Sequence, residues 1–139
     1  MKDVLIKIKG ISIVEGDKNV IEFTTTGSFH RRNGDYIIRY TQAQPDEPDP
    51  GKTTLTVSGS DVVTISRRGK FGSNLTIEAG KRHQCLYDTG FGELMMGVSD
   101  AVIDSKLGTA GGDLSFKYTL DIDATVASEN EVFINIREC

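Results

Sequence analysis

The chain has 139 residues, a formal net charge of −4 and a hydrophobic fraction of 37 % before its 15 glycines are added. This composition excludes a disordered chain, and the length fits one domain, so we predict a single domain over residues 1–139. No apolar run reaches the roughly 18–20 residues of a membrane-spanning helix. We therefore expect no membrane as partner. Because binding to nucleic acid requires a basic face and the chain has a net charge of −4, we also expect no nucleic acid as partner.

The choice of apolar residues favours β-sheet. Val, Ile and Thr supply 36 residues, whereas Ala and Leu together supply 14. Residues branched at Cβ pack well on a pleated surface and lose side-chain freedom in a helix. The composition therefore predicts a mostly β protein.

Apolar and polar side chains alternate along most of the chain, which is the pattern of half-buried strands. In chain order, the predicted inward positions are Val4, Ile6, Ile8; Ile21, Phe23, Thr25, Gly27, Phe29; Tyr36, Ile38, Tyr40; Thr53, Leu55, Val57; Val63, Ile65, Arg67; Leu75, Ile77; His83, Cys85, Tyr87; a run over 93–105; Leu114, Phe116, Tyr118, Leu120, Ile122; and Val132, Ile134, Ile136. Gly27 predicts a bulge or a sharp bend within its strand.

Short turns separate these strands. Asn33-Gly34 is a strong hairpin signal, and all three prolines fall in a loop over 45–50 that also carries three acidic residues. The turns leave no room for the crossover helices that parallel strands need. We predict an all-β fold, an antiparallel and mostly meandering closed β-barrel of about 8–10 strands.

Four stretches resemble the YwiB-like family of bacterial proteins, a domain of unknown function with a calycin-like (lipocalin-like) β-barrel. They are Lys52-Thr53-Thr54-Leu55; Val63-Thr64-Ile65 with Arg67 and Gly69; Tyr87-Asp88-Thr89-Gly90-Phe91-Gly92 followed by Gly97-Val98; and Tyr118, Leu120, Ser128 and Asn130. Gly90 departs from the family pattern, which favours proline there. The resemblance covers nearly the whole chain and implies a soluble bacterial barrel, but it implies no activity.

The sequence offers no constellation for catalysis or for a metal. His83 and Cys85 share a strand face, yet no second pair of ligands completes a metal site. Asp88 is out of phase with both, which argues against a catalytic triad, and Cys85 fits a buried core position. We expect no enzyme activity, no cofactor and no metal. With only two cysteines and no signal-peptide pattern, we predict a cytoplasmic protein.

A basic cluster stands out in this acidic chain. Residues 62–82 contain five basic side chains and one acidic one, Glu78. If the strands around Val63 and Ile77 form a hairpin, the cluster splits between its two ends. Arg67 would then point inward near a barrel mouth, paired either with a carboxylate such as Asp88 or Glu93 or with a bound anion.

Four tyrosines share the predicted inward faces, and they could either fill the core or line a pocket. The predicted ligand-binding residues are Arg67, Tyr87, Asp88, His83, Tyr36, Tyr40 and Tyr118. We predict a barrel that binds a small, anionic ligand at its mouth or interior. The alternative is a non-catalytic protein-interaction module, including a homodimer, that acts through strand edges, the proline loop or the turns containing Phe71 and Phe91.

Overall fold

The computed structural model describes residues 2–42, 51–59, 61–68, 73–88, 93–122 and 125–138. Ten strands follow one another in these segments. They are β1 (Lys2–Val14), β2 (Asp17–Arg32), β3 (Asp35–Gln42), β4 (Gly51–Ser58), β5 (Val62–Arg68), β6 (Ser73–Glu78), β7 (His83–Asp88), β8 (Glu93–Gly108), β9 (Gly111–Ile122) and β10 (Thr125–Glu138).

Every strand pairs antiparallel with its neighbours in the chain, and β1 also pairs with β10. That last pairing closes the sheet into a barrel, so the predicted all-β, meandering closed barrel is confirmed. Closure leaves each strand with one face toward the interior and one toward solvent, as the alternation of apolar and polar residues requires.

The strands form a tall wall and a short wall. The tall wall consists of β8, β9, β10, β1 and β2, which are 12 to 16 residues long. The short wall consists of β3 to β7, which are 6 to 8 residues long. One end of the barrel, here called the open end, is where the β1–β2 turn at Glu15-Gly16 lies; the closed end holds the turn at Asn33-Gly34.

Apolar side chains fill the closed end. The side chains that are almost completely buried there are Val4, Ile6, Phe29, Ile38, Val57, Val63, Ile77, Leu114 and Ile136. Registers join them across the sheet; Ile6, for example, lies opposite Ile136, and Ile38 lies opposite both Phe29 and Leu55. This half of the barrel is a packed core rather than a channel.

Gly27 occupies a regular position rather than a bulge. The β1–β2 register runs without a shift from Asp17 to Phe29, and the β-bulges of the described strands lie between Ser99 and Val102 and between Val126 and Ser128. A Cβ atom on Gly27 would collide with the carbonyl oxygen of Arg39. The glycine therefore permits close approach of two backbones at the point where β2 meets β3.

The β6–β7 contact is the weakest seam of the barrel. Within the described strands, a single register pair, Ser73 with Tyr87, joins them. Farther along the seam, the Thr76 amide donates to the Cys85 sulfur at 3.5 Å. Cys85 is 8 % exposed, so its predicted role as a small buried side chain is confirmed.

Candidate ligand cavity at the open end of the barrel

A cavity of about 260 Å³ occupies the interior above the packed core. Its apolar walls come from both sides of the barrel and comprise Ile8, Ile21, Phe23, Leu55, Ile65, Leu75, Phe116, Val132 and Ile134, with Gly10. Four polar residues complete the lining: Tyr40, Thr53, Arg67 and Tyr118. The interior is therefore neither solid nor a through-channel, because it is filled at one end and hollow at the other.

Arg67 provides the positive charge of this cavity. It lies near the end of β5, in phase with the buried Val63 and the half-buried Ile65, as predicted. Its side chain is exposed at the rim rather than buried, so the guanidinium keeps contact with water and costs little to hold there. None of the described lining residues is an aspartate or a glutamate.

The charge of Arg67 affects the pKa of both Tyr40 and Tyr118. Burial raises the pKa of the Tyr40 hydroxyl, while the Arg67 charge and hydrogen bonds with Thr53 and Arg67 lower it in part. Burial likewise raises the pKa of Tyr118, and the Arg67 charge opposes that rise. With raised pKa values, both phenols are neutral near pH 7 and can donate hydrogen bonds.

The polar residues follow from the strand registers. Tyr40 lies opposite Thr53, Thr53 opposite Arg67, Arg67 opposite Ser73, and Ser73 opposite Tyr87. These five residues form one continuous row across β3 to β7, which we call the polar row. The row runs from the buried Tyr40 and Thr53 to the exposed Arg67 and on to the ends of β6 and β7, and Tyr118 on β9 contributes from the tall wall.

Among the four polar residues of the cavity lining, Thr53 is the one that sequence reasoning did not select as a site residue. It is 4 % exposed, and it hydrogen-bonds with Tyr40. The available signal was its phase: a threonine stands first in an inward series that continues with Leu55 and Val57. A buried hydroxyl among apolar side chains needs a partner, and here the partner is a tyrosine.

The structure does not bring Tyr36 and His83 to the cavity. Tyr36 lies at the closed end, where its ring stacks on Phe29 at 5.5 Å between centroids and Arg31 lies 5.7 Å from the ring centre. His83 begins β7 at the same end, and its Nε2 lies 2.8 Å from a carboxylate oxygen of Glu78. Both residues were selected because they are in phase with inward positions of their strands. Alternation shows which face of the sheet a side chain lies on, but not how far along the barrel axis it lies.

The backbone of Tyr87 and Asp88 ends β7 at the open end, with Tyr87 in the polar row. Their side chains, and that of Glu93, lie outside the described part of the structure, as do the loop over 45–50, Phe71 and Phe91. The pairing of Arg67 with Asp88 or Glu93 therefore remains a prediction.

The basic cluster divides as the hairpin predicted. Val63 lies opposite Ile77 in the β5–β6 hairpin, which separates Arg67 from the basic residues near the closed end. Arg82, just before β7, reaches across Gly97 of β8 and donates two hydrogen bonds to Asp121 near the end of β9, at 2.5 and 2.9 Å. Lys81 lies 3.4 Å from Glu78. Among the described side chains of the cluster, Arg67 is thus the one that lines the cavity, and those of Arg68 and Lys70 lie outside the described part of the structure.

Carboxylates pair with the described basic side chains that precede β7. The hydrogen bonds from Arg82, followed by its charge, lower the pKa of Asp121, which is buried on the outer face of β9. The hydrogen bond with His83 is the main cause of the lowered pKa of Glu78, with Lys81 adding to it. Gly97 lies beneath the Arg82–Asp121 pair, where a Cβ atom would collide with the guanidinium.

Two other depressions lie on the outer surface. They measure about 580 and 440 Å³ and are lined largely by outward-facing residues of the tall wall, among them Lys7, Lys9, Lys18 and Lys117. Among the described side chains, no three His, Cys, Asp or Glu residues converge on a point that could hold a metal ion. The described residues also contain no helix long and apolar enough to cross a membrane.

Fold and interior together define a ten-stranded antiparallel β-barrel with a half-hollow core. Residues 6–134 match the model of a domain of unknown function, DUF1934, and the chain belongs to that family. It is similar to the uncharacterized β-barrel protein YwiB of Bacillus subtilis (strain 168), with 29 % identity over 121 residues that cover 86 % of this chain and 82 % of the relative.

The crystal structure of the ywiB protein from Bacillus subtilis has a similar fold. The TM-score is 0.86 at 23 % sequence identity, and the match covers 99 % of this chain and 92 % of the other. The resemblance drawn from the sequence is confirmed, and the family it identifies is one of uncharacterised function.

Proposed function

We propose that the barrel binds a small amphipathic anion in the cavity at its open end and carries out no chemistry on it. The observation that carries this proposal is the composition of the lining: one arginine at the rim and neutral hydroxyls within reach of its charge, among walls of aliphatic and aromatic side chains. Such a site recognises a charged group at one point and an apolar body elsewhere.

The charge of the ligand follows from Arg67. A guanidinium offers several N–H donors to a carboxylate or a phosphate, and the neutral hydroxyls of Tyr40 and Tyr118 add further donors. A cationic ligand would find no carboxylate among the described lining residues. Since the whole chain is acidic, this basic interior is a local exception that favours anions over other solutes.

The size of the ligand follows from the volume. A cavity of about 260 Å³ holds roughly nine water-sized groups at about 30 Å³ each. This is the scale of a medium-chain carboxylate, with its tail against Phe116, Ile134 and Leu55 and its head at the rim. Binding without catalysis is proposed because the described lining contains no histidine, cysteine or carboxylate to act as a base or nucleophile.

Isothermal titration calorimetry with sodium octanoate as probe tests this proposal, with 1-octanol as the uncharged comparison. We expect octanoate to bind more tightly than octanol, and Arg67→Gln to weaken octanoate binding by about tenfold or more. Arg137→Gln, which removes an exposed arginine from the outer face of β10, is the matched control and should bind octanoate normally.

A second variant tests the location. Val132→Phe places a ring in the cavity opposite Gly10 and should abolish octanoate binding while the thermal unfolding midpoint stays close to that of the wild type. Binding that survives both Arg67→Gln and Val132→Phe, or equal binding of octanoate and octanol, would overturn the proposed site. Native mass spectrometry of freshly purified protein should also show a bound anion, which Val132→Phe lacks.

A further inference from the structure

We propose that the upper part of β2 is the interface of a homodimer, in which two copies join edge to edge across a two-fold axis at Val20. The starting observation is the pairing of β2. β1 covers β2 from Asp17 to Phe29, whereas β3 covers it only from Gly27 to Arg32. Within the described chain, residues 17–26 therefore pair on one side only.

This edge has only part of the usual protection against association. Proteins shield a free strand edge with proline, bulges or charged side chains, lysine above all. Residues 17–26 contain no proline, the β1–β2 register shows no bulge along them, and their three charged residues, Asp17, Lys18 and Glu22, include a single lysine. Six of these ten residues are β-branched or aromatic, the composition that favours strand pairing. The edge is thus a template for another strand.

Exposed apolar side chains lie on the same segment. Val20 is 50 % exposed and Ile21 is 61 % exposed, on opposite faces of β2. Ile13 and Val14, at the end of β1 beside them, are 36 % and 41 % exposed. A second strand against β2 would cover part of Val20 and Ile21, which adds burial of apolar surface to the new backbone hydrogen bonds.

The charges select a second copy of this chain and one register. In an antiparallel pairing centred on Val20, Lys18 lies opposite the partner's Glu22, and Glu22 lies opposite the partner's Lys18. Shifting the centre to Lys18 would oppose two lysines, and shifting it to Glu22 would oppose two glutamates. Centring on Val20 also keeps outward side chains opposite outward ones, as a two-fold interface requires.

The dimer brings each copy close to the other's cavity. Ile21 and Phe23 line the cavity and lie on the β2 segment that pairs in the dimer. The interface and the ligand site therefore share a strand but not their charged residues: Arg67 is on β5, whereas Lys18 and Glu22 face outward on β2. This separation lets each proposal be tested without disturbing the other.

Sedimentation velocity over about 10 µM to 1 mM, the range of weak association, tests the dimer. We expect the wild type to dimerise as concentration rises. Lys18→Glu and Glu22→Lys each place like charges opposite one another at both ends of the register, and each should raise the dissociation constant by about tenfold or more. The double variant K18E/E22K restores opposite charges and should dimerise like the wild type.

Mixing the two single variants gives the sharpest result. Lys18→Glu paired with Glu22→Lys has opposite charges at both positions, so the mixture should form a heterodimer although neither variant forms a homodimer. Lys106→Glu is the control: it puts a glutamate opposite Asp113 on the outer face of β8, just as Glu22→Lys puts a lysine opposite Lys9. It should leave dimerisation unchanged.

Two results would overturn the proposal. One is a wild type that remains monomeric across the whole concentration range. The other is a dimer whose dissociation constant is the same in the wild type and both single variants, since it would then use another surface. Circular dichroism of each variant establishes that it is folded, and the mixing experiment distinguishes lost pairing from lost folding because only folded chains recover association.

Discussion

Apolar and polar side chains alternate along the strands at both the closed and the open end of the barrel, but the inward side chains have a different role at each end. At the closed end, inward residues such as Ile6 and Phe29 are at most 1 % exposed and belong to the packed core. At the open end, inward residues such as Ile65 and Arg67 stand around a cavity of about 260 Å³. An inward-facing side chain is therefore not always a buried one. Its position along the strand decides whether it packs in the core or lines the cavity.

The boundary between the two ends lies near Phe116. This side chain is 2 % exposed, yet it also lines the cavity, so it forms the floor on which a ligand would rest. Its ring stacks toward Tyr118 at 6.0 Å between centroids. The almost completely buried side chains below it are aliphatic or phenylalanine. Tyrosine, threonine and arginine enter the lining of the cavity.

A matched pair of substitutions tests this contrast most strongly. Ile38→Ala, in the packed end, should lower the free energy of unfolding by about 2–5 kcal/mol, because it removes methyl groups from a site with no exposure. Ile65→Ala, beside the cavity, should cost about half as much or less, because its outer methyl groups already face open space. Urea denaturation measures both, and equal losses would contradict a hollow upper half.

A smaller effect on stability is expected from the Arg82–Asp121 pair, which joins the start of β7 to the end of β9. Arg82 lowers the pKa of Asp121 below its ordinary 3.8, so the folded state takes up a proton less readily than the unfolded state. The pair's contribution to stability is therefore present above about pH 4 and is lost as the pH falls through the lowered pKa. Asp121→Asn should reduce stability at pH 7 by less than Ile38→Ala does.

Unfolding midpoints measured from pH 7 down to about pH 2 should show the wild type and Asp121→Asn converging in acid. Asp104→Asn, an exposed carboxylate on the outer face of β8, is the control and should follow the wild type throughout. A difference between wild type and Asp121→Asn that stays constant with pH would show that the pair contributes through packing over Gly97 rather than through charge.

The smallest expected effect is on the pKa values of the two tyrosines that line the cavity. Since the Arg67 charge lowers the pKa of both Tyr40 and Tyr118, Arg67→Gln should raise both values further. Nuclear magnetic resonance of ¹³C-labelled tyrosine, with Tyr36 at the closed end as an internal reference, measures each hydroxyl separately. An unchanged titration of Tyr40 and Tyr118 would mean that the guanidinium does not lie against them in solution.

Much of this arrangement is encoded locally. Asn33-Gly34 and the turns at the ends of β4 and β6 set the hairpin registers, and these place Arg67 on the inward face opposite Thr53. Arg67 and Tyr40 on the short wall could therefore be selected from the sequence, whereas Thr53 was missed although it shares their inward face. Alternation also selected Tyr36, because the depth at which a side chain lies depends on where each hairpin begins within the barrel.

Contacts between residues that are far apart in the sequence could not be predicted in this way. Arg82 and Asp121 are 39 residues apart, and they meet because β7, β8 and β9 are adjacent and Gly97 leaves space between them. The close approach at Gly27 likewise depends on the path of Arg39 in the neighbouring strand. Neither residue carries a local signal for its partner, so the three-dimensional arrangement is needed to find them.

The seam between β6 and β7 has a mechanical consequence. In a uniform ring, a displacement at one strand reaches the opposite strand by two routes of equal stiffness. Here one route crosses the β6–β7 seam, where a single register pair and an amide–sulfur contact at Cys85 join the strands, so we expect that route to be the more compliant of the two. A displacement of the β5 backbone should then reach the β9 backbone mainly through β4, β3, β2, β1 and β10.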